Sequence, residues 1–298
     1  MPPSAATKRA MRWGFIAFLA ALWLAGPAAA QTSITLDASP VAIVDASING
    51  RPVRFEVDPR MPDMLALSTS AAERLGVRRL PLAQIQVGIE GGGSMRGRIA
   101  RPNIRFGERS ARNMAGVFPV PVSTRADGVI GPGSLPYDVV TIRIGADVAT
   151  PRDIVMPLEN PDVWSAQADV GGRSLRLIFD VANEASILNR PAVRAFDRAG
   201  AIPSAGELAE RPLILGLSTL MQPVTTTLTV HGIELGPTFA RTISPLLGAL
   251  EEDAIIGEGE ASETPPTLTL GRQALLQAGC SSISVNRRTR QLTLRCAA

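Results

Sequence analysis

The sequence predicts an all-β protein built as two similar lobes, with only a few short helices. Two observations carry this. Short runs alternate apolar and polar residues and are punctuated by Gly, Pro, Asn and Asp, which is the pattern of short strands and hairpins. One arrangement of strand, turn, acid, short helix and glycine also occurs twice in the same order.

The elements follow in chain order. Val53 to Val57 and Ile99 to Phe106 read as strands in the first half, as does Val139 to Ile144. Leu175 to Phe179, Thr225 to Val230 and Leu292 to Leu294 read as strands in the second. Thr69 to Leu75 reads as a helix, with Ser68 or Thr69 as its cap and Gly76 as its stop. Pro191 to Ala199 is a second helix, preceded by Asn189 and carrying its proline in the first turn. Arg272 to Ala278 is a third, ended by Gly279.

The repeat is visible residue by residue. Ser47-Ile-Asn-Gly-Arg-Pro-Val-Arg-Phe-Glu-Val-Asp58 aligns with Asp169-Val-Gly-Gly-Arg-Ser-Leu-Arg-Leu-Ile-Phe-Asp180. Leu65-Ala-Leu-Ser68 then matches Ser186-Ile-Leu-Asn189. The glycine-containing stretch Asp127 to Leu135 matches Leu268 to Leu275, and each leads into a strand. The lobes are expected at 31–150 and 163–298. The joint falls in the Pro- and Asp-rich stretch from Ala149 to Asp162.

Residues 1–30 carry a different signal. Lys8, Arg9 and Arg12 precede an uncharged apolar run from Trp13 to Leu24, then Gly26-Pro27 and Ala28-Ala29-Ala30. This is the three-part pattern of a cleaved secretory signal, with the mature chain beginning near Gln31 and lying in the periplasm or beyond the cell. The apolar run is shorter than the roughly 20 residues a membrane span needs.

Those three cations are the whole charge excess. The chain has 30 basic and 27 acidic residues, so about 268 mature residues carry 27 of each. No net positive field remains to attract nucleic acid. An oxidising compartment permits Cys280 and Cys296 to pair across the base of a C-terminal hairpin whose turn lies near Asn286 to Thr289. Such a bond closes a loop worth roughly 3 kcal/mol in the chain-entropy model. With one histidine and no C-x-x-C, neither a metal site nor any other cofactor is expected.

The two acids ending the repeated strands point to chemistry. Ile48-Asn-Gly-Arg-Pro-Val-Arg-Phe-Glu-Val-Asp58, Ala71-Ala-Glu-Arg-Leu-Gly76 and Gly128-Val-Ile-Gly-Pro-Gly-Ser-Leu135 resemble the aspartic proteases, specifically the exported bacterial proteins similar to retropepsins. The resemblance implies a peptide-binding cleft between two lobes, with Asp58 and Asp180 as the catalytic dyad. Carboxylates so close cannot both ionise; they share a proton and act as base and acid. It also implies a hairpin flap, here Gln84 to Ile99 with Gly91-Gly-Gly93 at its tip, and Leu213 to Val230 in the equivalent place. The partner is a peptide or protein, and the lobes form a pseudo-dimer within a monomer.

The chain departs from the family beside both acids. Where the family has Asp-Thr/Ser-Gly, this sequence reads Asp58-Pro59-Arg60 and Asp180-Val181-Ala182. The hydroxyls are gone, and Arg60 favours an ionised Asp58, which removes the acid the mechanism needs. The expectation is therefore a binding protein degenerate at its dyad, with an atypical active endopeptidase as the alternative.

Other candidates reduce to structure. His231 reads as an exposed hairpin turn, not a triad member. Gly128 to Gly133 lacks the Lys-Ser/Thr of a phosphate loop. Glu251 to Glu263 fits no calcium-loop spacing, and Arg287 to Arg290 reads as a solvated hairpin tip.

Overall fold

The computed structural model describes residues 31–88, 94–160, 163–197, 202–241 and 264–298. The signal-like residues 1–30, the flap tip Gly91 to Gly93 and the acidic stretch Glu251 to Glu263 lie outside the described residues. Residues from Ser33 onward form one compact unit. It is mostly β, with three short α-helices among the described residues: α1 (Thr69–Arg74), α2 (Arg190–Asp197) and α3 (Arg272–Gln277).

The first half opens with β1 (Ser33–Asp37), β2 (Ile43–Ile48), β3 (Arg51–Val57) and β4 (Leu65–Ser68). It continues through β5 (Arg79–Gly88), β6 (Ser94–Ala100), β7 (Asn103–Phe106), β8 (Arg109–Arg112), β9 (Ala115–Phe118), β10 (Gly128–Ile130) and β11 (Val139–Arg143). After β12 (Pro151–Pro157) come β13 (Ser165–Val170), β14 (Arg173–Asp180), β15 (Ser186–Leu188), β16 (Ala209–Pro212) and β17 (Ser218–Val224). The chain ends with β18 (Thr229–Val230), β19 (Ile233–Glu234), β20 (Thr238–Ala240), β21 (Thr267–Gly271), β22 (Ser282–Asn286) and β23 (Gln291–Ala297).

Two nine-stranded sheets result. One runs β5-β6-β9-β4-β10-β3-β2-β7-β8, the other β16-β17-β20-β15-β21-β14-β13-β18-β19. The orders correspond position by position. The strand directions agree too: β3 is parallel to β10 as β14 is to β21, and β4 is parallel to β9 as β15 is to β20. A third sheet, β1-β11-β22-β23-β12, draws strands from both ends of the chain.

Alternation explains which faces are buried. Val53, Phe55 and Val57 of β3 point inward while Arg51 and Arg54 stay exposed. Leu175, Leu177 and Phe179 do the same in β14, and Leu292, Leu294 and Cys296 in β23. These side chains belong to one continuous core that includes Trp164 and Val140, Ile142, Ile283 and Val285 of the third sheet. Both repeated hairpins use the left-handed two-residue turn that matches strand twist: Asn49 and Gly50 have φ of 52° and 75°, Gly171 and Gly172 of 58° and 75°.

The structure corrects several local expectations. The run from Ile99 to Phe106 is two strands, because Pro102 has no N–H for a ladder and the chain turns at Arg101-Pro102 between β6 and β7. Thr225 to Leu228 is irregular; only Thr229–Val230 pairs, after a turn in which Thr226 Oγ1 accepts from Leu228 N (3.1 Å). The joint between the halves is not a plain linker, since β12 within it pairs along the whole of β23. The basic tip is exposed at Arg288, Thr289 and Arg290 as expected; only Arg287 is half-buried, its Nη2 donating to Pro132 O (2.9 Å), while Arg288 pairs with Asp138 (2.9 Å). His231 sits exposed at a hairpin turn with φ 50°. Cys280 and Cys296 are disulfide-bonded, and no described helix is long and apolar enough to cross a membrane.

Candidate functional site

Each repeated strand delivers its acid to the centre of the molecule. Asp58 follows β3 directly, and its N–H donates to Ile130 O of β10 (3.1 Å). Asp180 ends β14, in register with Gly271 of β21. The two glycines that flank these acids are required by close backbone approach. A Cβ on Gly131 would strike the carbonyl oxygens of Pro62 and Met61, and one on Gly271 would strike Ala185 and Glu184. The sequence of each half thus seats an acid turn against a glycine at or just past the end of a neighbouring strand.

One guanidinium joins the two acids. Arg60 forks onto Asp58, with Nε donating to Oδ1 (3.0 Å) and Nη2 to Oδ2 (2.8 Å). Its Nη1 donates to Asp180 Oδ2 at 2.5 Å. The remaining Nη2 proton faces Leu213 O at 3.4 Å. Arg60 thus stands beside Asp58, as its place in the chain implies, and also reaches across to Asp180.

The cluster is out of water. Side-chain exposure is 6% for Asp58, 0% for Asp180 and 12% for Arg60. Asp180 is also held by its own turn: Oδ1 accepts from Ala182 N and Asn183 N (both 3.0 Å), and Oδ2 from Asn183 Nδ2 (2.7 Å). Burial pushes the Asp180 carboxyl above the usual range; Arg60 opposes that shift and the Asp58 charge adds to it. Burial also disfavours the Arg60 charge, but Asp58 and Asp180 outweigh it, so its proton is held more tightly than in water. Two carboxylates and one guanidinium leave the cluster with a single formal negative charge.

No protein-family model matches the chain, and no curated protein matches it in sequence. The chemical reading therefore rests on geometry. In a paired-acid hydrolase a water lies between the carboxylates and is deprotonated by one of them. Here Asp58 Oδ2 and Asp180 Oδ2 are both bonded to the same guanidinium. A group that cannot be deprotonated in proteins stands between the acids.

Two further features flank the cluster; the cavity has no sequence signal, whereas the hairpin tip falls in Leu213 to Val230, the stretch expected in the flap's equivalent place. On the Asp180 side a cavity of about 390 Å³ is lined by Asn183, Glu184, Ile187, Arg211 and Phe239, with the Arg211 guanidinium 4.0 Å from the Phe239 ring centre. On the Asp58 side the tip of the β16–β17 hairpin crosses over, and Leu215 packs among Met61, Met64 and Phe118 of the first half. Burying a leucine contributes roughly 1.5–3 kcal/mol. That offsets the roughly 1–3 kcal/mol cost of the left-handed conformation that Leu215 adopts, φ 58°. The available signal was composition: residues 213–217 are Leu-Ile-Leu-Gly-Leu, too apolar for a solvated hairpin tip.

Proposed function

We propose that this chain is an exported aspartic-protease-like protein that binds a peptide or protein in the cleft between its two halves and does not hydrolyse it. The observation that carries the reading is the Arg60 bridge between Asp58 and Asp180. Hydrolysis needs one protonated and one ionised carboxyl around a water. The buried guanidinium takes the oxygens that the water would use, and at Asp180 it opposes the proton uptake that burial favours. The matched strand order of the two nine-stranded sheets supports the lobed arrangement. The cavity beside Asp180 offers a peptide an apolar wall at Phe239 and polar groups at Asn183 and Arg211. Both acids come from one chain, so the reading requires only a monomer and no cofactor. Export is supported by the pattern of residues 8–30 and by the Cys280–Cys296 disulfide.

The alternative, an atypical endopeptidase using Asp58 and Asp180, draws on the meeting of the two acids at one point and requires Arg60 to leave it. A peptide-library digest from pH 3 to pH 8 with the mature protein, Asp58→Asn and Arg60→Gly separates the readings. The expected result is an intact library with the wild-type protein at every pH, while panning of the same library enriches peptides whose binding weakens in Phe239→Ala. Cleavage by the wild-type protein that disappears in Asp58→Asn would establish the endopeptidase instead.

A further inference from the structure

The tip of the β16–β17 hairpin is closed on itself and buried in the opposite half. Leu213 N donates to Leu217 O (2.7 Å) and Leu217 N to Ile214 O (3.1 Å). Leu215, at the apex, is only 4% exposed. Its cluster includes Met61, Met64, Met95, Phe118, Val122 and Val129 of the first half, and Ile214 and Leu217 are among the residues packed against it. Leu213 O faces Arg60 Nη2, and Gly216 passes so near Pro121 that a Cβ would lie 3.0 Å from its carbonyl oxygen.

We propose that this methionine-lined pocket is a binding site for a bulky aliphatic side chain of a peptide ligand, and that Leu215 is its resident occupant, supplied by the chain itself. The proposal rests on the peptide-binding reading above and deepens it. Three observations carry it. The apex holds a leucine in a backbone conformation that leucine rarely adopts, which persists only where the surroundings enforce it. The pocket wall contains three methionines, Met61, Met64 and Met95, whose unbranched thioethers re-pack around differing apolar shapes. In the second half Ile187, Met221 and Phe239 form a separate buried cluster against which Leu213 packs, and Ile187 and Phe239 also line the cavity beside Asp180. The occupant sits at the tip of the edge hairpin of the second nine-stranded sheet, beyond the Gln222–Val224 stretch that ladders β17 to β20.

A tethered occupant acts as a competitor at the effective concentration set by its tether, which for short connections is in the millimolar range. An incoming peptide is weakened by the fraction of time that Leu215 holds the pocket. Partner binding then requires the hairpin to move, and hairpin movement also removes Leu213 O from Arg60.

The test uses a fluorescently labelled, cyclised peptide with the sequence of residues 209–222. It is titrated into the wild-type protein and Leu215→Gly by anisotropy. Glycine accepts a φ of 58° without a side chain, so the turn survives and the pocket empties. The expected result is at least tenfold tighter binding to Leu215→Gly than to wild type, lost when the central leucine of the peptide is replaced by aspartate. The ¹³C-methyl signals of Met61, Met64 and Met95, assigned by single Met→Leu substitutions, move on binding. Equal affinity for both proteins, binding to neither, or binding that leaves these methyls in place overturns the proposal. If circular dichroism shows Leu215→Gly unfolded, Leu215→Ala carries the same comparison. Peptide hydrolysis by the wild-type protein would defeat the binding reading yet leave this titration interpretable. Library peptides that bind while the cyclic peptide is refused would remove Leu215 alone.

Discussion

The two acid turns hold their carboxylates away from water by different means. The second turn is self-sufficient. Asp180 is met by Ala182 N, Asn183 N and Asn183 Nδ2, all neutral donors within three residues. The first turn relies on a cation two residues on, Arg60, whose backbone N–H (2.9 Å) and side chain both bond to Asp58. The difference teaches where the symmetry of the two halves ends. A turn of neutral donors can face a second acid across a shared proton. A turn built on a guanidinium imposes its charge on both acids.

Arg60→Gly breaks the comparison most strongly. It leaves two buried carboxylates without a cation, at an expected cost of about 3–5 kcal/mol near neutral pH. In the variant, burial and mutual repulsion raise the folded-state pKa of the pair above its unfolded value. The folded state then binds the extra proton, so the loss is largest at neutral pH and shrinks as pH falls below the raised value. Urea unfolding at pH 4 and pH 7 reads this; a loss that is the same at both would contradict the role given to Arg60.

Asp180→Asn sharpens the comparison with a smaller effect. The remaining Asp58–Arg60 pair is neutral overall, so the expected cost is about 1–2 kcal/mol, that of weakened hydrogen bonds to one side chain. The wild-type Asp180 carboxyl is raised, chiefly by burial. Its contribution is therefore greatest in acid and is lost as pH rises from the unfolded value through the folded one. Unfolding midpoints from pH 3.5 to pH 7 should fall more steeply for wild type than for Asp180→Asn.

The smallest expected effects compare the caps of two matched helices. Ser68 Oγ accepts from Ala71 N (3.1 Å) and shares a hydrogen bond with the exposed Ser70 Oγ (3.0 Å). Asn189 Oδ1 accepts from Ala192 N (3.0 Å) and Thr267 N (2.8 Å), while its Nδ2 donates to Pro265 O (2.9 Å). Ser68→Ala should cost about 1 kcal/mol and Asn189→Ala about 2 kcal/mol. Thermal melts of the two variants would show equal shifts if the strand contacts of Asn189 contributed nothing.

Much of this molecule was legible because its signals are local. Alternation in Arg51–Val57 and Arg173–Asp180 gave two strands, and Asn49-Gly50 and Gly171-Gly172 gave their turns. Ser68, Asn189, Gly76 and Gly279 gave helix limits within one residue, while Ala199 and Gly200 lie outside the described residues. The loss of the hydroxyls beside Asp58 and Asp180 was equally plain. What escaped was everything decided across the chain. The reach of Arg60 to Asp180 spans 120 positions. The burial of Leu215 depends on Met61 and Phe118 of the other half, and no periodicity within residues 213–217 encodes them. The joint hid β12 because prolines at its ends read as breakers, while an edge strand tolerates them.

The third sheet carries a last consequence. Its strands β1 and β11 precede the joint, β22 and β23 end the chain, and β12 is the joint itself. β11 is laced to β22 from Val139–Asn286 through Arg143–Ser282, so the seam is backbone ladder rather than side-chain contact alone. Neither half, expressed separately, would retain this sheet. A protease that nicks the short stretch before β12 would leave fragments that co-purify until denatured. Heating should melt the whole as a single calorimetric transition.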